Sequence, residues 1–269
     1  MDKFRRISII ASNTFRESVR DKILYNIVFL AVALCIFSIV LGEWSVFDKA
    51  HVIKAITLSL MSLSGLLISV FVGISLVQKE IQRRTVLTLL SKPLYRAEFV
   101  IGKYLGLLAV MGTHLIMLTG VFYAVLWFTA SQPELILLKA VYLIFCEMSI
   151  VIAVAMLFSS FSTPVLSTLF TLGVYAAGHL TDQLLQQVQF VKNVVGDDLV
   201  QKNTALMEFG AVWANRLLPS LYRYNISQQV IHHLAIPQGY FLLSTLYAIG
   251  YVGILLSIAS WWFGRRDFL

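Results

Sequence analysis

The sequence predicts an all-α membrane protein with six transmembrane helices, and three observations support this fold class. Apolar residues make up 58% of the chain and charged residues 13%, with a mean hydropathy of +0.81. Soluble domains have about a quarter of their residues charged. Six runs approach or exceed the length of about 20 apolar residues that crosses a bilayer. Most Lys and Arg residues lie at one end of these runs, which indicates a cytosolic side.

The six predicted spans are joined by short segments, except for one long connection before the last. They cover residues 22–42, 55–78, 99–129, 135–158, 164–181 and 240–263. The chain is therefore predicted to form a single transmembrane domain over residues 1–269.

Basic residues orient the predicted spans. Most of the 21 Lys and Arg residues fall within 3–22, 79–103 and 265–266, which share one side of the membrane if the N-terminus is inside. Both termini are therefore predicted to be cytosolic. The net charge of +7 is explained by this asymmetry and by attraction to anionic lipids of the inner leaflet, so no nucleic-acid partner is expected.

An amphipathic helix is predicted before the first span, over residues 2–21. Apolar side chains recur there at spacings of three and four, and basic side chains occupy the other side. Such a helix is expected to lie in the inner membrane interface. The alternative is a solvated leader.

A charged amphipathic segment, residues 79–98, separates the second and third spans. Glu80, Arg83 and Arg84 cluster on one side of a predicted helix. Pro93 ends that helix, because its ring cannot continue the hydrogen-bond ladder. An apolar stripe completes the pattern: Ile81, Val86, Leu89 and Leu90. A short charged helix on the cytosolic face is suited to docking a partner protein.

Gly102 and Gly106 open the third span with small residues four positions apart. This spacing allows two helices to approach closely. We therefore expect a close helix contact near the inner face.

Glu147 lies near the middle of the fourth predicted span. A carboxylate at membrane depth is costly, so it is expected to face protein or water and is a candidate intramembrane polar site. The alternative is a structural residue that is protonated, or hydrogen-bonded to Ser149 or to Ser and Thr of a neighbouring helix.

Residues 182–239 form the one long connection, and they are predicted to form amphipathic outer helices. Apolar residues recur at helical spacing, with breaks expected near Gly196 and Pro219. The apolar positions are Leu184, Leu185, Val188, Val191, Leu206, Phe209, Val212 and Trp213.

Motifs for nucleotide, metal or hydrolytic chemistry are missing from the sequence. The only Gly-Lys pair, Gly102-Lys103, does not belong to a P-loop, and the five histidines form no H-E-x-x-H. The chain is therefore not expected to be an enzyme or to bind a cofactor. A soft-metal site is a weak alternative, since Met and Cys in spans usually serve packing; its ligands would be Cys146, Met148, Met111, Met117 and His114.

These features together resemble the membrane permease subunits of ABC transporters of the type 2 exporter class. The N-terminal amphipathic helix resembles the family's elbow helix, and residues 80–106, with Leu-Ser-Lys-Pro and Gly-Lys-Tyr-Leu-Gly, resemble its charged motif. Six spans with both ends inside are its usual topology. The stretch 217–221, Leu-Leu-Pro-Ser-Leu, followed by Tyr224-Asn225 is similar to permeases of the copper-enzyme maturation group.

The resemblance implies a location in the bacterial inner membrane and two partners, a separate ABC ATPase subunit and a second permease subunit. Glu80, Arg83 and Arg84 would then lie in a coupling helix that contacts the ATPase. The resemblance does not imply a substrate. The alternative function is an ion- or proton-coupled secondary transporter that uses Glu147.

Overall fold

The structure is a computed structural model that describes residues 3–44, 48–82, 96–129, 134–195 and 218–265. Within them, the side chains of 80–82, 96, 181–195 and 263–265 lie outside the description. All regular elements in these ranges are helical: α1 (Lys3–Val19), α2 (Lys22–Glu43), α3 (Lys49–Leu67), a π-helical turn (Ile68–Val72), α4 (Gly73–Gln82), α5 (Arg96–Phe128), α6 (Leu137–Phe161), α7 (Pro164–Val195), a 3-10 turn (Leu221–Tyr224), α8 (Ser227–Ile231) and α9 (Tyr240–Arg265).

Five helical segments in the described part of the chain are long and apolar enough to cross a membrane, as expected for a multi-pass membrane protein. They are Lys22–Glu43, Lys49–Lys79, Ala97–Phe128, Leu137–Phe161 and Tyr240–Trp262. The apolar part of α7 is shorter, Pro164–Leu180. The helix was expected to end near residue 182 but continues to Val195, because Leu184, Leu185, Val188 and Val191 keep the helical spacing and neither Gly nor Pro interrupts them.

Helix α6 lies at the centre of the bundle and is its most buried candidate span. It packs against α3, α5, α7 and α9. Helix α2, by contrast, presents large apolar side chains such as Phe29 to the outside. An apolar outside and a tightly packed centre are what a helix bundle surrounded by lipid requires.

Two aspartates begin helices. Asp21 accepts a hydrogen bond from the backbone N–H of Ile23 at the start of α2. Asp48 does the same for Ala50 and His51 at the start of α3. Each carboxylate satisfies donors that a helix N-terminus leaves unpaired.

Helix α1 crosses α5 at very short range, which confirms the close contact predicted from Gly102 and Gly106. A Cβ atom on Gly102 would lie 2.8 Å from Ile10 Cβ, and one on Gly106 would lie 2.6 Å from Thr14 Cβ. Thr14 and Ser18 are buried in this contact. Their hydroxyl groups donate to backbone carbonyls one turn earlier in α1, so polar groups can be buried there.

The apolar stripe by which the sequence predicts α1, Phe4, Ile7, Ala11 and Phe15, is only partly buried. Phe4 is 87% exposed, whereas Phe15 packs against the core. The small Thr14 and Ser18 are fully buried instead, because close backbone approach selects small side chains.

Candidate functional site

Two ion pairs join α1, and Asp21 two residues beyond its end, to both ends of the segment 79–98. Lys79 Nζ of α4 lies 2.8 Å from Asp21 Oδ2, just after α1. Arg6 of α1 lies with Nη2 3.2 Å from Glu98 Oε1 in the first turn of α5. We call the end of the bundle that carries these pairs the α1 end.

The surroundings of Asp21 act on the pKa of its carboxyl group in two opposing directions. Burial raises its pKa, but the hydrogen bonds from Lys79 and from the Ile23 backbone, with the charge of Lys79, hold the pKa below its usual value. The carboxylate therefore stays charged at neutral pH, and the pair with Lys79 does not depend on pH there.

Gln78 ties α4 to the turn between α6 and α7 at the same end. Its Nε2 donates to the backbone carbonyls of Ser159, at 3.1 Å, and Ser162, at 2.8 Å. The helix that enters the segment 79–98 is therefore held from two sides.

The residues expected to contact a partner lie mostly outside the described part. Glu80 and Ile81 belong to α4, although their side chains lie outside the description. The remaining residues lie outside it altogether: Arg83, Arg84, Val86, Leu89, Leu90 and Pro93. The structure describes the two helix ends that flank this segment, the end of α4 and the start of α5.

Glu147 is the second predicted site residue, and it is buried in α6 with 1% of its surface exposed. It lies about 15 Å along the helix from Leu137, at a rise of 1.5 Å per residue. Hydrogen bonding to Ser149 was one expectation, but the Ser149 hydroxyl donates to the Cys146 carbonyl at 2.6 Å, because a serine in a helix readily bonds to its own backbone.

Two side chains of α7 meet Glu147 instead. His179 Nε2 lies 3.3 Å from Glu147 Oε1, and the Tyr175 hydroxyl group also interacts with the carboxyl group. The rings of Tyr175 and His179 pack together with centroids 4.5 Å apart. We call Glu147, His179, Tyr175 and Ser62 the α6–α7 polar cluster, since Ser62 Oγ of α3 lies 3.3 Å from the Tyr175 hydroxyl.

The chain just before the 3-10 turn packs directly beside this cluster. A Cβ atom on Gly178 would lie 2.6 Å from the carbonyl oxygen of Pro219, so the backbone at Pro219 contacts α7 next to His179. Tyr224 anchors this stretch, because it is buried and donates to the Ser244 carbonyl at 2.8 Å.

A second group of polar residues lies at the end of the bundle opposite the α1 end. Lys54 Nζ is 2.9 Å from Glu134 Oε1, and His233 Nε2 is 3.5 Å from Glu134 Oε2. His51 pairs with Asp48 and stacks on His232 with ring centroids 5.2 Å apart. The sequence offers no partner carboxylate near His232 and His233; the fold supplies Glu134 from a distant loop.

Three of the five residues of the weak soft-metal alternative lie against Ser64 and Gly65. His114 Nε2 lies 2.9 Å from Ser64 Oγ, and a Cβ atom on Gly65 would lie 3.2 Å from Met148 Sδ and 3.5 Å from Met111 Sδ, whereas Met117 is exposed. Among the described residues, no group of three or more His, Cys, Asp or Glu side chains is arranged to hold a metal ion.

Sequence reasoning missed His179 and Tyr175, although a signal was present. The turn at residues 162–163 joins α6 and α7, and Glu147 and His179 are almost equally far from it along the chain. In an antiparallel helix pair, residues equidistant from a tight turn lie at the same depth. Tyr175, one turn before His179, then falls on the same face.

Comparison with known proteins gives no match to a protein-family model, and no match to a curated protein. The resemblance to type 2 exporter permeases therefore depends on the motifs and the topology described above.

Proposed function

We propose that this chain is the permease subunit of an ABC transporter of the type 2 exporter class. In this proposal the chain has six spans, with α7 as the fifth, and α1 is the elbow helix. Both termini and the coupling helix within 79–98 are cytosolic, and the outer segment 182–239 faces the other side of a bacterial inner membrane. The observation that carries it is the double attachment of the segment 79–98, to α1 through Arg6 and to Asp21 just beyond it.

The attachment matters because a permease without a nucleotide site must receive energy through contact with another protein. Lys79 pairs with Asp21 at the start of the segment 79–98, and Glu98 pairs with Arg6 at its end. Helix α1 also packs on α5 through Gly102 and Gly106. A force on the segment 79–98 would therefore move the second and third spans together. It would not be absorbed by bending of the segment.

The proposal has three kinds of partner. An ABC ATPase would dock on Glu80, Arg83 and Arg84, a second permease subunit would complete the transport path, and lipids would cover the exposed apolar faces of helices such as α2. Charges on a docking helix favour one partner and orient it. The chain itself would hydrolyse nothing.

The test is capture of the ATPase from native membranes. The tagged chain is cross-linked, purified and analysed by mass spectrometry, and we expect a protein with a P-loop whose ATP hydrolysis copurifies with the chain. The triple variant Glu80→Lys, Arg83→Glu, Arg84→Glu should reach the membrane in normal amount. The amount of ATPase captured with it should fall at least tenfold, since like charges would then face each other.

A charge-matched control separates docking from a general effect of charge reversal. Glu43, Lys49 and Arg223 are exposed in the described structure, and in the proposed topology they face the opposite side. Reversing these three should leave capture unchanged. The proposal fails if the coupling variant retains full capture and full ATP hydrolysis, or if no P-loop protein is captured by the wild-type chain.

A further inference from the structure

The α6–α7 polar cluster contains a carboxyl group and an imidazole ring with no fixed charge on either of them. Glu147 is 1% exposed, and His179 Nε2 lies 3.3 Å from its Oε1. Glutamate and histidine each exist in a charged and a neutral form, so the position of a proton decides the state of the pair. Asp, Glu and His side chains that pair with one another within membrane spans mark proton relays in pumps and transporters.

The tautomer of His179 is set by its other ring nitrogen. Nδ1 lies 3.2 Å from the carbonyl oxygen of Tyr175, and a carbonyl oxygen can only accept, so Nδ1 carries a hydrogen. In a neutral ring Nε2 is then a bare acceptor that points to Glu147. A carboxylate facing a bare nitrogen would be repulsive, and one proton between Oε1 and Nε2 removes this conflict.

Burial decides on which atom that proton resides. An imidazolium–carboxylate pair would place the charge of Glu147, which is 1% exposed, in the interior, where it loses its hydration. Hydrogen bonds that offset this cost are few among the described contacts, since Tyr175 is the main further donor to the carboxyl group. A carboxylic acid that donates to a neutral ring satisfies both groups without any net or separated charge.

We propose that Glu147 and His179 form an intramembrane proton-binding site, in which Glu147 Oε1 carries one proton and donates it to Nε2 of a neutral His179. Tyr175 is a positioning residue that holds both, through its carbonyl and its hydroxyl group, and Ser62 fixes that hydroxyl from α3. The side chain of His179 is 22% exposed, so this ring, unlike Glu147, reaches the surface of the bundle. This inference does not depend on which protein drives transport.

Among the described residues, few titratable groups lie around the site. They are Tyr175 on α7, Cys146 beside Glu147 on α6, His114 on α5, which bonds to Ser64 of α3, and Tyr224 of the 3-10 turn. From α3 itself, Ser62 is the side chain that approaches the cluster, and it does not titrate. Among described side chains near the site, none is a Lys or Arg that would stabilise a bare carboxylate; Asp182, three residues beyond His179, lies outside the described side chains.

The first test is ¹⁵N nuclear magnetic resonance of histidine-labelled full-length protein in lipid nanodiscs between pH 8 and 5.5. The chain has five histidines, and the signals lost in His179→Gln assign the ring. We expect His179 to remain neutral over this range, with its proton on Nδ1. A proton on Nε2, or titration of the ring within this range, would overturn the proposal.

The second test is infrared spectroscopy of the same sample at pH 7. A buried carboxylic-acid band should be present in the wild type, absent in Glu147→Gln and shifted in His179→Gln. His114→Gln is the matched control, because His114 is also buried but bonds to Ser64; it should leave the band unchanged.

If His179→Gln does not fold, the wild-type band and its loss in the isosteric Glu147→Gln variant still decide the question. If neither variant folds, the wild-type resonance spectrum decides it, since two neutral rings that do not titrate are expected, His114 and His179. A missing carboxylic-acid band in the wild type, or fewer than two rings that stay neutral, would contradict the proposal.

Discussion

Carboxyl groups with little exposure are held differently at the α1 end and in the α6–α7 polar cluster. At the α1 end, Asp21 and Glu98 each pair with a Lys or Arg, whose charge is fixed over the physiological range. In the cluster, Glu147 meets His179, whose charge is not fixed. The first arrangement is suited to transmitting force without changing state, and the second is suited to changing state when a proton is gained or lost.

The two regions also differ in how closely their backbones approach. Helix α1 lies on Gly102 and Gly106 with no room for a further carbon atom. In the cluster, side chains fill the space between α6 and α7. A contact between backbones is rigid, whereas a contact between side chains can be rearranged by changes of rotamer or protonation.

The largest effect is expected from Gly106→Leu. A Cβ atom there would lie 2.6 Å from Thr14 Cβ and 2.7 Å from the Ala11 carbonyl oxygen, so α1 must move away from α5. Overpacking of this kind costs about 1–3 kcal/mol or more, and we expect the upper end because a backbone atom is in the way. The measurement is the midpoint of thermal unfolding in nanodiscs, with protease accessibility of α1.

Gly120→Leu is the matched control for this change. Gly120 is in the same helix, and a Cβ atom there would meet nothing within 4 Å. Its midpoint should stay near that of the wild type. Equal losses for the two variants would mean that leucine affects the helix as such and that the α1 contact has no special rigidity.

A smaller effect is expected from Glu98→Gln. The side chains of Arg6 and Glu98 are only 17% and 8% exposed, and hydrogen bonds to largely buried charged groups contribute about 1.5–3 kcal/mol. A double-mutant cycle of Glu98→Gln and Arg6→Gln, measured as free energies of unfolding, should therefore give a coupling energy of about 1–2 kcal/mol.

The comparison for this cycle is the pair of Glu43 and Lys49, whose side chains are 61% and 57% exposed. Exposed ion pairs contribute about 0–1 kcal/mol. If both cycles give the same coupling, the pair of Arg6 and Glu98 does not brace the α1 end.

The smallest effect is expected from Asp21→Asn, and its pH dependence is the informative part. The folded-state pKa of Asp21 lies below its unfolded value of about 3.9, so its stabilising effect is fully present above about pH 5 and is lost as pH falls through the lowered pKa. We expect a loss below about 1 kcal/mol, since Lys79 is 42% exposed. Asparagine also caps helices, so the cap on Ile23 is retained.

The measurement is the unfolding midpoint of wild type and variant from pH 8 to pH 3. The difference should be constant from pH 8 to 5 and should shrink below about pH 4. In a Lys79→Gln background, this change in the midpoint difference below about pH 4 should be smaller. A difference that varies between pH 8 and 6 would contradict the view that the α1 end is insensitive to physiological changes of pH.

The sequence by itself determined the helical class, the membrane location and the close approach at Gly102 and Gly106. Each depends on local information: long apolar runs must form helices in lipid because every backbone group needs an internal partner, and two glycines at a spacing of four leave a groove wherever the helix lies. The sequence also marked Glu147, because a carboxyl group in an apolar run is costly in any fold.

Tertiary structure alone decided the partners. Arg6 and Glu98, Lys79 and Asp21, and Glu147 and His179 are far apart in the chain, and their pairing depends on which helices are neighbours and at what depth. The extension of α7 to Val195, and the choice of Thr14 and Ser18 over Phe4 as the contact face of α1, were decided in the same way. Hydrophobic periodicity shows that a helix has an apolar face, but the shape of the neighbouring helix determines which side chains pack against it.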